Sequence, residues 1–453
     1  MIQPLKQKTQ KPQKKQKMMS SFRIIIVSFF CLIMAGTLLL MLPIASHDGS
    51  VTPFSDCMFT AVSATCVTGL VVRDTATHWS FFGQAVILSL IQIGGMGVVT
   101  IGLTILRLSG RKIGLKHRST MQDSINAPRV SGMVKITGFI LKTSLIIELS
   151  GAALLAPVFC RDFGILKGIW YSLFHSISAF CNAGFDLMGI RGQFSSLTSY
   201  SSNIYVNTII MLLIITGGIG FLVWGDIATF KFRIKRYSLQ TKVVFITSFL
   251  LILVPALYFF FGEYSNMNMG ERIISSLFQS VTTRTAGFNT QDLSTMNQSG
   301  TTIMIFLMLI GGSPGSTAGG MKTTTIAVLF MSAITVFGRR NDVQCLKRRV
   351  SDETVRTAGA ILFMYLFLSI TTGIIISRIE GISLLKCLFE TSSAIGTVGL
   401  TLGITVKMSI ISRMLLMILM FFGRVGGLTL IYAAVPSAES LNSRLPLGKI
   451  SVG

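Results

Sequence analysis

The chain has 453 residues, 51% hydrophobic and only 13% charged, with a mean hydropathy of +0.68. A soluble globular domain carries about 25% charged residues, so the composition excludes one and describes a single integral membrane unit. The formal charge of +23 would suit a nucleic-acid binder, but its placement argues for a membrane instead.

In chain order, residues 1–21 are rich in Lys, Gln and Pro and read as a disordered basic arm suited to an anionic inner leaflet. The apolar run Ile24 to Leu42 is too long for a signal-peptide core and no A-x-A site follows it, so it opens the first span. Eight spans emerge, at 22–43, 83–108, 134–159, 204–230, 239–261, 301–331, 355–378 and 409–435. Between the members of each pair lie 54–70, 168–186, 272–289 and 384–401, too short or too polar to cross, which read as re-entrant hairpins. Basic residues concentrate in Lys6 to Arg23, Arg107 to Lys135, Lys231 to Lys242, Arg339 to Arg356 and Arg444 to Lys449, while the other loops are balanced. That is the positive-inside pattern, with both termini cytoplasmic.

The expected fold class is therefore all-α integral membrane, with four pseudo-symmetric repeats around a central pore, eight transmembrane helices and four re-entrant pore helices. Repeat 1 spans 22–108, repeat 2 109–230, repeat 3 231–338 and repeat 4 339–435, leaving 436–453 as a C-terminal tail.

Each hairpin runs from a Phe to a Gly: Phe59 to Gly69, Phe174 to Gly184, Phe278 to Gly287 and Phe389 to Gly399. A hydroxyl follows each Phe four residues on, at Ser63, Ser178, Thr282 and Ser393. A dehydrating cation must exchange water for fixed oxygens, and backbone carbonyls supply them without a full charge that would hold it too tightly. Aiming successive carbonyls inward needs unusual dihedrals, which glycine takes without strain. The candidate lining is Val67, Thr68 and Gly69; Asn182, Ala183 and Gly184; Thr285, Ala286 and Gly287; and Thr397, Val398 and Gly399. One such corner is a common structural turn; four in register argue for a cation pathway.

The second spans carry glycine clusters at 94–97, 217–220, 311–315 and 423–427. For the first two, plain close packing of helices explains them as well as a bend at a cavity does. The third is different. Gly311, Gly312, Ser313, Pro314, Gly315, Ser316, Thr317, Ala318, Gly319 and Gly320 hold five Gly and one Pro, and cannot stay helical. We read a loop at membrane depth that obstructs the path, with Lys322 and the mid-span Arg424 as its electrostatic partners. The string GSTAGGMKT over 315–323 approaches a phosphate-binding loop, but Met321 separates Gly320 from Lys322 and no strand precedes it.

The segments Ala64 to Leu70, Phe180 to Phe185, Thr283 to Asn289 and Ile395 to Leu400 resemble the four pore loops of the Trk/Ktr/HKT superfamily of potassium transporters, nearest to the Ktr membrane subunits of the KtrB type. The resemblance covers nearly the whole chain. It implies four M1–P–M2 repeats, a homodimer in the bacterial plasma membrane, and an intramembrane gating loop in the third M2. It also implies a cytosolic RCK-type regulatory ring, KtrA-like, which would carry ATP/ADP or NAD, since this chain holds no nucleotide fold. Relatives that prefer sodium often have serine for the first filter glycine; Gly69 therefore favours K⁺, with Na⁺-dependence left open. A sodium-selective or sodium/potassium cotransporting member is the alternative.

Asp56, Asp74, Asp186 and Asp292 flank the hairpins and either concentrate cations or serve as plain loop acids. Glu148, isolated mid-span, is expected to pair inside the bundle. Seven cysteines without CxxC spacing and four scattered histidines give no metal site beyond K⁺ itself, and no catalytic constellation for an enzyme.

Overall fold

The computed structural model describes residues 21–98, 100–101, 133–427 and 429. Most of the basic arm, most of the basic loop 107–135 and the tail 436–453 lie outside the described residues. The helices in chain order are α1 (Ser21–Leu40), α2 (Phe54–Thr65), α3 (Phe81–Met96), α4 (Met133–Phe163), α5 (Ile165–Cys181), α6 (Ile204–Ile219) and α7 (Phe221–Phe230). They continue with α8 (Leu239–Tyr258), α9 (Met269–Thr282), α10 (Gln298–Leu309), α11 (Thr323–Phe337), α12 (Asp352–Glu380), α13 (Leu384–Gly396) and α14 (Ile410–Val425). Among the described residues the only sheet is a small hairpin, β1 (Gln344–Cys345) against β2 (Arg348–Arg349).

Among the described residues four helices are long and apolar enough to cross a bilayer alone: α1, α4, α8 with the π-turn that extends it to Glu263, and α12. A 20-residue helix rises about 30 Å, the thickness of a hydrocarbon core. Their outward faces are apolar and uncovered, as at Phe30, Leu145, Ile146, Phe249, Leu250, Phe363 and Phe367. Lipid, not water, suits such a belt. The ends of α12 show how sequence sets the limits. Ser351 Oγ accepts from Thr354 N–H, Asp352 and Glu353 occupy the first turn, Arg378 the last, and Gly381 takes the left-handed cap at φ +65°.

Between the long helices sit the four shorter ones expected as hairpins, α2, α5, α9 and α13. Their repeated phenylalanines, Phe59, Phe174, Phe278 and Phe389, are all fully buried, so these helices stand inside the bundle. Three pack between their neighbours in the chain, α2 against α1 and α3, α5 against α4 and α6, and α13 against α12 and α14, while α9 packs against α8 and α6.

The second spans are interrupted at their glycine clusters. Helix α3 stops at Gly97 (φ +88°), α6 at Gly220 (φ +105°) and α14 at Gly426 (φ +89°), and α7 leaves α6 at 95°. A right-handed helix cannot continue through such a residue. The third span unwinds between α10 and α11, where Ile310 and Met321 form an isolated bridge. The first glycine of three clusters also has no room for a side chain: a Cβ on Gly94 would strike Thr65 O, on Gly217 Phe180 O, and on Gly423 Ile395 O. Close approach to the ends of α2, α5 and α13, followed by a break, is thus what these clusters encode.

Candidate functional site

Each of α2, α5, α9 and α13 ends in a turn whose geometry repeats. Two residues before the corner glycine the chain takes a positive φ: Val67 (57°), Asn182 (60°), Thr285 (73°) and Thr397 (52°). The glycines follow at +95°, +69°, +80° and +92° for Gly69, Gly184, Gly287 and Gly399. The sequence reading assigned the unusual dihedrals to glycine; the structure places them on β-branched residues as well. Left-handed Val or Thr costs about 1–2 kcal/mol each, and such strain persists only where surrounding bonds over-determine it.

Those bonds come from the hydroxyl that recurs four residues after each Phe. Ser63 Oγ accepts from Gly69 N–H and Ser393 Oγ from Gly399 N–H, both at 3.1 Å. Ser178 Oγ donates to Phe185 O at 2.7 Å, and Thr282 Oγ1 to Phe288 O at 2.5 Å. The N–H groups of Thr68, Ala183 and Val398 turn back to Ser63, Ser178 and Ser393 O at 2.8 Å, and that of Ala286 to Thr282 O at 3.0 Å. With the N–H groups drawn into the protein, the carbonyls are left over. Among the described residues no hydrogen bond reaches a carbonyl of 67–69, 182–184, 285–287 or 397–399, although all twelve residues are buried. Buried, unpaired carbonyls are rare and call for a partner other than protein.

The four corners close on one another. A Cβ on Gly69 would strike Ala183 O; on Gly184, Ala286 O at 2.8 Å; on Gly287, Val398 O; and on Gly399, Thr68 O. Copy one therefore meets copy two, two meets three, three meets four, and four meets one. Thr285 Oγ1 lies 3.3 Å from the Asn182 amide, a further tie between the second and third corners.

Beside this ring lies the unwound segment of the third span. Ser313 N–H donates to Gly218 O (2.9 Å), Thr317 N–H to Gly217 O (3.3 Å), Thr317 Oγ1 to Phe180 O (3.0 Å) and Gly320 N–H to Gly423 O (3.2 Å). Phe221 N–H donates to Gly315 O at 2.6 Å. Lys322 Nζ donates to Ala318 O at 2.8 Å, bracing the loop on itself. Arg424 joins the loop to the first repeat: one guanidinium nitrogen donates to Thr317 O, the other to Gly94 O and Gly95 O. Lys322, Arg424, Gly95, Gly97, Phe221 and the loop border a cavity of about 210 Å³. The segment thus bonds directly to repeats 2 and 4, and Arg424 links it onward to repeat 1.

The flanking acids separate. Asp56 is paired with Arg73 (2.8 Å) and with Arg413 of α14 (3.1 Å), tying the first repeat to the fourth. Asp74 accepts from the N–H groups of Ala76, Thr77 and Phe194. Asp292 caps Ser294 at an exposed turn. Asp186 accepts from Met188 N–H at 2.9 Å. Glu148 takes both its bonds from Gln92 Nε2 (3.0 and 3.1 Å), inside the bundle as expected.

Sequence reading missed Glu390. It is fully buried in α13 and accepts from Thr401 Oγ1 (2.6 Å), Leu402 N–H (3.0 Å) and Thr405 Oγ1 (2.6 Å), all just beyond the fourth corner. His175 does the equivalent in the second copy, accepting from Leu187 N–H at 3.3 Å. The signal was available: the residue after each repeated Phe is polar, Thr60, His175, Gln279 or Glu390, in an otherwise buried register.

The model of the TrkH family, described as cation transport protein, matches residues 2–443. The potassium/sodium uptake protein NtpJ of Enterococcus hirae is 37% identical over 97% of this chain and 98% of its own. The Ktr system potassium uptake protein B of Bacillus subtilis is 37% identical over 95% of this chain and 96% of its own. Among solved structures, the potassium transporter TrkH of Vibrio parahaemolyticus superposes with a TM-score of 0.72 at 18% identity, covering 94% of this chain and 87% of that one. Together with the ring and the apolar spans, these likenesses settle the class: the chain is a multi-pass membrane protein, a transporter and not an enzyme, and it belongs to the TrkH family of cation transport proteins.

Proposed function

We propose that this chain takes up potassium across the plasma membrane through a filter of backbone carbonyls. The observation that carries the reading is the closed order of the four corners, with the carbonyls of twelve buried residues that no donor reaches among the described residues. Four M1–P–M2 repeats, within 22–108, 109–230, 231–338 and 339–435, surround that axis. Residues 67–69, 182–184, 285–287 and 397–399 replace the hydration shell of the ion. Segment 311–320, held by Lys322 and Arg424, obstructs the path beneath them and acts as the gate; the guanidinium adds an electrostatic barrier to a cation. The reading includes a homodimer governed by a cytosolic RCK-type ring, KtrA-like, with ATP/ADP or NAD on that ring; the word system in the name of the Bacillus relative supports a partner subunit.

The test is uptake by a potassium-transport-deficient bacterium expressing this chain, with and without a cytosolic regulator of the RCK type, comparing K⁺ with Na⁺. Growth and ⁸⁶Rb⁺ uptake rescued at low K⁺ support the proposal. Sodium uptake without potassium uptake would replace it with the sodium-selective reading, which the word sodium in the name of the Enterococcus relative keeps in view.

A further inference from the structure

Helix α7 joins the unwound third span to a basic turn, and both of its ends are fixed. Helix α6 has 16 residues and rises about 24 Å, most of the thickness of a hydrocarbon core. Helix α7 leaves it at 95° and so runs along a membrane face instead of across it. Asp226 in α7 accepts from Ser238 N–H (3.0 Å) and Thr241 Oγ1 (2.6 Å), which ties α7 to the foot of the long span α8. The turn 231–236 therefore lies at the membrane boundary, on the cytoplasmic side by the positive-inside asymmetry.

The backbone of this turn is held in place. The Tyr237 hydroxyl donates to Lys231 O, Lys242 Nζ donates to Lys235 O at 2.9 Å, and Ile234–Arg236 form a short 3₁₀ turn. All six residues from 231 to 236 are nevertheless exposed, Phe232 to 97% and Ile234 to 64%. Phe232 and Ile234 alternate with Lys231, Arg233 and Lys235, and Arg236 follows. Among the described residues none of these four cations pairs with an acid, and Asp226, the acid at hand, is engaged by Ser238 and Thr241. An uncovered ring and aliphatic chain interleaved with unpaired cations match the boundary of an anionic leaflet, where acyl chains take the first and headgroup phosphates the second. A turn kept basic for topology alone needs neither Phe232 nor Ile234.

At the other end of α7, Phe221 N–H donates to Gly315 O at 2.6 Å, and a Cβ on Gly220 would lie 2.7 Å from Pro314 O. We infer that residues 231–236 bind anionic phospholipid of the inner leaflet and thereby hold α7 against the segment 311–320. Phe232 and Ile234 enter the acyl region, while Lys231, Arg233, Lys235 and Arg236 meet headgroup phosphates. The effect on transport rests on the reading of 311–320 as the gate. Moving that segment aside breaks the Phe221–Gly315 bond and shifts α7, which draws the turn out of the leaflet. Anionic lipid thus has the higher affinity for the obstructed state and favours it.

The experiment reconstitutes the full chain in vesicles of phosphatidylcholine alone or mixed with phosphatidylglycerol. The fluorescence added by Phe232→Trp, taken as the difference from wild type, should be quenched more by brominated phosphatidylglycerol than by brominated phosphatidylcholine. Equal quenching by the two lipids, or quenching by iodide from the water instead, overturns the site. Shielding from iodide by an RCK-type cytosolic regulator, with no anionic lipid present, overturns it in favour of a protein partner. In the second arm ⁸⁶Rb⁺ flux is expected to be about two- to tenfold higher without phosphatidylglycerol. The combined variant Lys231→Gln, Arg233→Gln, Lys235→Gln, Arg236→Gln should show the higher flux in both lipids, and Lys167→Gln, on the opposite side, should behave as wild type. A lipid response that survives in the combined variant, or one of opposite sign, overturns the hold on the gate. If shortening the loop within 312–319 leaves flux unchanged, the gate reading fails by itself, and the quenching arm still decides the lipid site.

Discussion

The four corner glycines are not equivalent, and their differences give a ranked prediction. Gly184 sits at φ +69°, inside the left-handed region open to L-residues, and a Cβ there would lie 2.8 Å from Ala286 O and Gly287 Cα. That contact is with backbone and demands a shift, but it is the mildest of the four. Gly69 and Gly399 sit at +95° and +92°, beyond that region, and a Cβ on either would collide with the carbonyl oxygen of the next corner. Serine at position 69 therefore adds about 1–2 kcal/mol of backbone strain and drives the Ala183 carbonyl off the ring. A tenfold change in preference corresponds to about 1.4 kcal/mol, so losing one well-placed oxygen in four is expected to lower K⁺ over Na⁺ discrimination by about tenfold or more. Gly184→Ser should lose only about two- to threefold. The assay is competition of K⁺, Rb⁺ and Na⁺ for uptake by a potassium-transport-deficient bacterium, at equal membrane expression. If Gly184→Ser abolishes discrimination while Gly69→Ser preserves it, the ring geometry argued here is wrong.

Arg424→Ala removes the bonds to Thr317 O, Gly94 O and Gly95 O; with water entering the adjoining cavity, a net loss of about 1–2 kcal/mol should raise the open population and K⁺ flux about five- to thirtyfold. Shortening the loop within 312–319 should raise flux in the same way, and unchanged or reduced uptake at normal expression counts against the gate. Asp56→Ala leaves the Arg413 guanidinium, only 18% exposed, without its carboxylate, so detergent-solubilised protein should lose about 2 kcal/mol and melt several degrees lower. Glu390→Ala strands Thr401, Leu402 and Thr405 donors behind the fourth corner; a loss of about 2–4 kcal/mol in stability and weaker ion discrimination are expected, with Glu390→Gln milder on both measures.

Much of this was readable along the chain. Apolar runs separated by polar stretches are local facts, and they located the four long helices to within a few residues, α12 at Asp352–Glu380 against an expectation of 355–378. Five glycines and a proline in ten residues forbid a helix wherever the segment goes, so the unwound third span was legible too. The recurring hydroxyls were visible as a pattern, but their role as anchors of Gly69 N–H and Phe185 O was not. The glycine clusters gave closeness or bending as alternatives; the fold uses both, pressing Gly94, Gly217 and Gly423 on facing carbonyls and breaking the helix three residues later.

What the chain determined by itself was hydropathy and backbone latitude, because both belong to contiguous residues. Tertiary structure alone decided the partners: which corner meets which, that Asp56 is neutralised by an arginine 357 positions away, and that Asp74 accepts from Phe194 across 120. Charge pairing and carbonyl satisfaction depend on neighbours in space, so no local reading of these acids could tell the ion-paired brace of Asp56 from the loop anchor of Asp74.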